Sequence, residues 1–595
     1  MELTKKQKSY IEKKSGRREI KRIAADLGLA EQAVREYLNI QSGVSEKTVE
    51  ASKTVQPSLR QLLRSQRLTI VILLGLVFIT YVNALGNGFV SDDKAILALK
   101  NIGDWGRFLK QPIHWTGELV KTISFKIGGY NPFYYRIFNI LFHQLTVIGV
   151  YLLFLMLADA QYAFVVAALF AVHPLNSEAV VWIAGIQYPQ AAMCLVWSLI
   201  FYYLWLQKKR AKDLIIALIL YILAISSSEK AVIFPFIIIA FEAAFGRIRQ
   251  HWQAVLSFFL ITVVPAVLYL LLLGARLDAL AKFYYQGKTL INPLLQIPIA
   301  LTSYWQLLLW PYPLTLYHSE LSFTQLDYAF RLAATIGLIG IAILAYKKNR
   351  LIFFGLGLFI ISLLPYLTPL EIAWIVAERY VYLGAIGMFG VAGYGLWRII
   401  KNKKTEGLGY LIFIAVMMAL MARTVIRNID WRNEDNLWIA TAKTSPSDPK
   451  THNNLGDYYG RQGNLAKSAE EFKIAIKLNP NYADAYHNLG NTYQQLGKIQ
   501  EAVSSYQSAI KYNPQLWQSY QNLAAIYFNQ KKYRQAEQLI SEAIKINPAE
   551  TNLRANLAVV YLNLGEKKLA REQFEKVLQL DPANQTAKAG LLLTK

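Results

Sequence analysis

The sequence predicts an all-α protein in two parts: a polytopic bundle of membrane-spanning helices, then a helical-repeat solenoid. Two observations carry this reading. The 595 residues are 54% hydrophobic with a mean hydropathy of +0.25, and the excess lies between about residues 68 and 424, in runs long enough to cross a bilayer. Further on, prolines stand at 446, 480, 514, 548 and 582, each 34 residues from the last, which is the period of tetratricopeptide repeats.

Residues 1–66 read as a basic cytoplasmic segment. Within it, IKRIAADLGLAEQAVREYL has helical periodicity broken at Gly28, with Ile23, Ala24 and Leu27 before the turn and Val34 and Leu38 after it. That is the pattern of a helix-turn-helix. With no second DNA-binding unit and no basic recognition helix, it reads as a small helical hairpin on the inner face of the membrane, and nucleic acid is not the expected partner. A polar linker follows, roughly 42–65. No cleavable signal peptide is evident, so the first apolar run is expected to be a retained anchor.

The membrane domain is expected over 67–425, with about eleven crossings near 68–86, 132–157, 161–182, 187–206, 213–227, 231–245, 254–274, 327–345, 351–367, 379–398 and 408–424. Basic clusters set its orientation, because loop Lys and Arg stay on the cytoplasmic side. These are KKRAK at 208–212, GRIRQHW at 246–252, KKNR at 347–350 and RIIKNKK at 398–404. A further apolar run at 293–310, flanked by Pro293 and by WPYP at 310–313, is read as lying in the outer interface or re-entering. The N-terminus is then cytoplasmic and the C-terminal repeats extracytoplasmic. The same loop charges explain the net charge of +24, with a surplus that favours anionic lipid. The single cysteine, Cys194, lies in an apolar run and reads as core packing.

Residues 426–444 form a connector and 445–595 hold four repeats. Leu455, Gly456, Tyr459, Phe472 and Ala475 recur as Leu489, Gly490, Tyr493, Tyr506 and Ala509, then as Leu523, Ala524, Tyr527, Ile540 and Ala543, then as Leu557, Ala558, Tyr561 and Phe574. Small residues let paired helices approach and aromatic residues fill the space between units. Asn454, Asn488, Asn522 and Asn556 recur at the same interval. They are expected to face the groove and hold a peptide backbone, or else to tie adjacent repeats together.

Five sets of residues could carry chemistry. Asp92 and Asp93 follow the first span in ALGNGFVSDDKAIL. One can serve as a general base at the membrane surface, while Ser91-Asp92-Asp93 also reads as the cap of a helix over KAILALKNI. HPLNSEAVVW, at 173–182, interrupts an apolar region with His173 and Glu178. It is either a turn that satisfies helix ends or a functional pair at bilayer level. In SSSEKAVIFP, at 226–235, Glu229 and Lys230 can pair with each other, or Lys230 can meet an anionic headgroup. In AERYVYLG, at 377–384, Glu378 and Arg379 open a span, a place that suits a phosphate. Arg136 opens another, with Asn139 and His143 on the following turns, and reads as a phosphate contact or an interfacial snorkelling cation. There is no Walker loop and no G-x-G-x-x-G. Nucleotide sugars are cytoplasmic, so a transferase working outside needs a lipid-phosphate donor.

The acidic pair, HPxxxEAVxW, the Glu at 229, AERYxY and Trp431 ahead of the repeats together resemble the transmembrane-and-tetratricopeptide-repeat O-mannosyltransferases, of the type C glycosyltransferase fold. The resemblance covers about residues 68–590. It implies a polyprenyl- or dolichyl-phosphate sugar donor, a Ser or Thr hydroxyl acceptor, inversion at the sugar, and a first-loop acid as base, here Asp92 or Asp93. Arg379, Lys230, Arg136 and His173 are then the expected donor-phosphate and lipid contacts, with Glu178, Glu229 and Glu378 in support. The chain departs from the family at GIQYPQ (185–190), at Ser228-Glu229 and at Arg136, all flanking the donor region. No cofactor is certain, and a divalent metal is left open but not indicated, since two carboxylates alone do not make a hard-cation site. The competing readings are a membrane-anchored repeat scaffold without catalysis, and a lipid-linked glycan transporter or ligase.

Overall fold

The structure is a computed structural model. It describes residues 58–97, 99, 102–106, 114–246, 248–284, 293–316, 318, 324–367 and 376–594, with residues 4, 7, 10, 20–29 and 34 of the N-terminal segment. It divides into two units, residues 1–70 and 71–595. In the first, Ile20–Leu27 is a helix that ends where Gly28 takes a left-handed φ of 63°, the turn expected of the hairpin. Ala24 and Val34 are buried, while Leu38 lies outside the described residues. The expected linker gives way at its end to a helix, Leu59–Ser65, started by a capping box in which Ser58 and Gln61 satisfy each other's backbone amides.

Seven helices of the described residues are long and apolar enough to cross a membrane: Arg67–Ala84, Pro132–Leu157, Ile183–Lys208, Ile248–Leu268, Gln325–Lys348, Glu378–Lys401 and Glu406–Asp430. Ala160–Val172 and Pro174–Val181 make an eighth if counted together, bent by 52°. This is fewer than the eleven expected. The runs at 213–227 and 231–245 form helices of only 15 and 12 residues, Ala211–Ile225 and Phe234–Phe245. At 1.5 Å per residue these are short of a hydrocarbon core of about 30 Å. The protein is a multi-pass membrane protein. Glu406–Asp430 turns Leu408, Leu411, Ile414 and Met418 outward, the apolar exposure that lipid tolerates and water does not.

Helix starts follow local chemistry. Asn131, with Pro132 at the first helical position, caps Pro132–Leu157, and Asp159 caps Ala160–Val172 through Tyr162 N at 2.9 Å. Helices Arg350–Leu363 and Tyr382–Lys401 approach so closely that a Cβ on Gly387 would stand 2.2 Å from the carbonyl oxygen of Gly355, the small-residue contact typical of membrane helices. Lys209 of one basic cluster meets His251 of another at 2.7 Å, and Lys401 of a third meets Asp159. Asp93 and Arg379 both bond within residues 178–184.

The repeats are four helix pairs. Their first helices are Pro449–Arg461, Ala483–Gln495, Trp517–Asn529 and Thr551–Asn563, with a final helix Gln585–Leu593. Successive starts are 34 residues apart, as the prolines require. Each interface is a small apolar core, for example Ala524, Ile540, Leu553 and Leu557.

Candidate functional site

The first loop separates the acidic pair. Residues Ser91–Ile96 form a short 3₁₀ helix, and the described residues 97, 99 and 102 beyond it are not helical, unlike the helix expected over KAILALKNI. Asp93 is fully buried. Its Oδ1 accepts from Ala184 N at 2.7 Å and its Oδ2 from Val90 N at 3.3 Å. Burial pushes its carboxyl up to about 7, against the pull of the Ala184 amide and the Arg136 charge. Asp92 is exposed. Ser91, just before it, is left-handed at φ 52°, a conformation that costs an L-residue about 1–2 kcal/mol.

That loop is held by remote segments. Arg136 donates from Nε to Val181 O at 2.8 Å, from Nη1 to Asn87 O at 2.5 Å and from Nη2 to Gly88 O at 2.8 Å. Three carbonyls take its donors, so it locks the loop to the bent segment at 173–182, and the geometry does not support a donor phosphate there. Asn87 donates to Asn428 O, and Gly88 N to Arg432 O. Ser91 N donates to Glu434 Oε2 at 2.9 Å.

The 173–184 segment is the hub. Glu178 is buried and pairs with the Arg379 guanidinium, and its Oε2 accepts from Arg379 N at 2.8 Å. Val181 O serves Arg136, Trp182 O accepts from Asn139, and Ala184 N serves Asp93. His173 plays a different part. Its Nδ1 accepts from Leu175 N and its Nε2 faces Leu308 O at 3.2 Å. Both ring nitrogens are engaged in closing backbone, so His173 caps the bend and is not open to a phosphate, contrary to expectation.

Beside the hub lies a small pocket of about 40 Å³ lined by Gln187, Tyr188, Ser228, Lys230, Tyr366 and Tyr380 among others. Tyr366 and Tyr380 stack at 4.2 Å. Arg379 lies over the rings of Tyr380 and Trp182, at 4.9 and 5.3 Å. Lys230, which lines the pocket, and Arg379 therefore flank one aromatic wall. Lys230 also pairs with Glu229, which meets His114 Nε2 at 3.2 Å. Burial would raise the Glu229 carboxyl, but Lys230 and His114 hold it down, to about 2. Glu378, buried, accepts from Thr315 N at 2.6 Å and from Arg427 Nη2 at 3.0 Å. Among the described residues its Oε2, like Arg427 Nε, has no partner.

The repeat asparagines divide. Asn488 donates to Asn453 Oδ1 and Asn522 to Asn491 Oδ1, tying each repeat to the one before. Asn454 donates to Lys450 O within its own helix, and Asn556 is exposed. Sequence reasoning missed His114, Glu434, Arg427 and the tyrosine wall. A signal for two of them was present: RNIDWRNEDNLW packs charge and amides directly after an apolar span, which an ordinary connector has no need to do.

Tetratricopeptide-repeat models match residues 456–497, 483–516, 505–538 and 527–592. A protein O-mannosyl-transferase of Caenorhabditis elegans is 25% identical over 462 residues, 70% of this chain and 64% of its own length. The human protein O-mannosyl-transferase TMTC3 is 22% identical over 478 residues, 69% of this chain and 51% of its own. The Drosophila melanogaster protein O-mannosyl-transferase Tmtc2 is 32% identical over 111 residues, 18% of this chain and 12% of its own. The first two matches are longer than 445–595, so they take in membrane helices. The matched region spans less than two thirds of each relative. Among solved structures, a crystal structure of MamA aligns with a TM-score of 0.23 at 23% identity, over 24% of this chain and 80% of that one.

Proposed function

We propose that this chain is an integral membrane glycosyltransferase. It moves a sugar, with mannose the first to test, from a polyprenyl-phosphate donor to a Ser or Thr hydroxyl of a protein on the extracytoplasmic side. The observation that carries the reading is the division of labour in the first loop: Asp93 is consumed by two backbone amides, while Asp92 is left exposed on a loop held from three sides. Asp92 takes the proton of the acceptor hydroxyl as the oxygen attacks the anomeric carbon and the bond to the lipid phosphate breaks. Lys230 and Arg379, flanking the tyrosine wall, stabilise the charge gathering on the leaving phosphate. The repeats hold the polypeptide acceptor and raise its local concentration. The relatives' names support sugar transfer to protein, and the basic clusters at 208–212, 246–252, 347–350 and 398–404 support an outer site.

The test is transfer from mannosyl polyprenyl phosphate to a Ser/Thr-rich protein by the purified chain in nanodiscs, read by mass spectrometry of the acceptor. Hydroxyl-linked hexose made by the wild type and lost in Asp92→Asn is the expected result. No transfer by the wild type to any acceptor, with partners still captured by the repeats, would favour the scaffold.

A further inference from the structure

The helix that leads into the repeats also holds the acidic loop. Glu434 is the first residue of Glu434–Thr444, 19% exposed at its side chain. Its Oε2 accepts from Ser91 N and lies 3.4 Å from Lys94 Nζ. Its Oε1 accepts from Trp438 Nε1 at 2.7 Å, one turn along the same helix, which fixes the carboxylate's orientation. The residue whose amide it takes is the left-handed Ser91, immediately before Asp92. Asp435, next in the chain, pairs with Arg461 of the first repeat at 2.8 Å, and Ser445 at the helix's far end bonds Thr315 at 2.7 Å. One short helix thus joins the base of the repeat array to the backbone that aims Asp92.

We propose that Glu434 is a positioning residue for Asp92. It acts through the Ser91 amide, so that the acid is aimed only while the helix beneath the repeats is in place. This rests on the glycosyltransferase reading for its consequence in rate, but the clamp itself can be measured without any sugar. Glutamine at 434 cannot accept at both ends, because one of its two termini is a donor; it must lose either Ser91 or Trp438.

The experiment uses the full chain in nanodiscs. Glu434→Gln should exchange the backbone amides of 88–97 about tenfold faster by hydrogen–deuterium mass spectrometry, the effect of losing one hydrogen bond, with 449–593 unchanged. With mannosyl polyprenyl phosphate and a Ser/Thr peptide, kcat should fall roughly 10- to 100-fold, as misaimed catalytic groups do. Both KM values should stay within about twofold, because ground-state binding is untouched. Trp438→Phe, which frees only the orienting contact, should fall between wild type and Glu434→Gln on both readouts. Lys94→Ala should leave both near wild type, since an exposed ion pair contributes little. Unchanged loop exchange in Glu434→Ala, which can accept from neither Ser91 nor Trp438, overturns the clamp. Faster exchange with unchanged kcat, or a rise confined to the acceptor KM, overturns the positioning role. A wild type that transfers no sugar would sink the glycosyltransferase reading instead, and the exchange result would still decide the clamp.

Discussion

In the membrane domain, Ser91 is held by Glu434, 343 residues away, and Arg379 by Glu178, 201 residues away. In the repeats, Asn488 reaches Asn453 across 35 residues and Asn522 reaches Asn491 across 31, each only as far as the neighbouring unit. The solenoid is close to one-dimensional, so damage to one unit is felt by its neighbours alone. The membrane domain ties segments far apart in the chain to one bent hub, so a change at any of them reaches the first loop. A perturbation should therefore be global in one half and local in the other.

The sharpest break is in the acidic loop. Asp92→Asn should cut transfer by roughly 10²–10⁴-fold, the scale of general-base catalysis, with normal insertion and thermal midpoint. Asp93→Asn should do the reverse, costing about 1–3 kcal/mol of stability for a buried contact left unmade, with transfer within about tenfold of wild type. The opposite pattern would make Asp93 the base. Asp93 also gives the fold a pH dependence. Its folded carboxyl is raised to about 7, so its contribution to stability is whole below its unfolded value and is lost as pH rises through 7. The thermal midpoint in detergent should fall from pH 5 to pH 8, and Asp93→Asn should flatten that slope.

Next comes the hub. Arg379→Ala leaves Glu178 charged and buried, and should destabilise the membrane domain by about 3–5 kcal/mol. Arg379→Lys should restore little, since an ammonium reproduces neither the paired geometry nor the stacking on Tyr380 and Trp182. Lys230 is a third exposed, and Lys230→Ala should leave the thermal midpoint near wild type while raising the donor concentration needed for half-maximal rate. A large loss of stability for Lys230→Ala would return it to a structural ion pair with Glu229.

What was legible in the sequence follows the same division. The repeat boundaries were readable because each helix meets a partner at a fixed interval, so one period specifies both the helices and their contacts. The acidic pair and the 173–182 segment stood out because charge inside an apolar region is conspicuous. Partners were not readable. Arg136 looked like an interfacial cation because nothing local reveals that the carbonyls of Asn87, Gly88 and Val181 converge on it. His173 looked functional because a buried imidazole is expensive, and the sequence does not display the two backbone groups that engage it. Hydropathy counted the 213–227 and 231–245 runs as full spans because it registers apolar length and does not see where Ser226–Ser228 stop the helix.

In the solenoid the expected effects are smaller and stay in place. A Cβ on Gly490 would stand 2.7 Å from the Tyr506 ring, while the third repeat already places Ala524 against a smaller Ile540. Gly490→Ala should cost about 1–3 kcal/mol as overpacking, read as faster amide exchange over 483–512 alone. Adding Tyr506→Ile, which copies the third repeat, should recover most of it. Loss of protection in the membrane helices as well would break the contrast between the halves.

The smallest effects should come from the groove asparagines, which differ in what they already hold. Asn488 and Asn522 each donate to the preceding repeat, so Asn488→Ala or Asn522→Ala removes an inter-repeat hydrogen bond that contributes about 1 kcal/mol. Any rise in the acceptor KM would then mix a loosened solenoid with a lost peptide contact. Asn556 is exposed and, among the described residues, has no side-chain partner, so Asn556→Ala should leave amide exchange over 551–580 unchanged. If that face of the solenoid receives the acceptor, Asn556→Ala should raise KM for a protein acceptor by roughly two- to tenfold, the loss of one or two peptide hydrogen bonds at about 0.5–1.5 kcal/mol each. Transfer to a short free peptide should keep its rate, because Asp92 and the tyrosine pocket are untouched. Equal loss on both acceptors would place the effect at the membrane site, and no loss on either would leave the asparagine ladder as a device for holding the repeats in register.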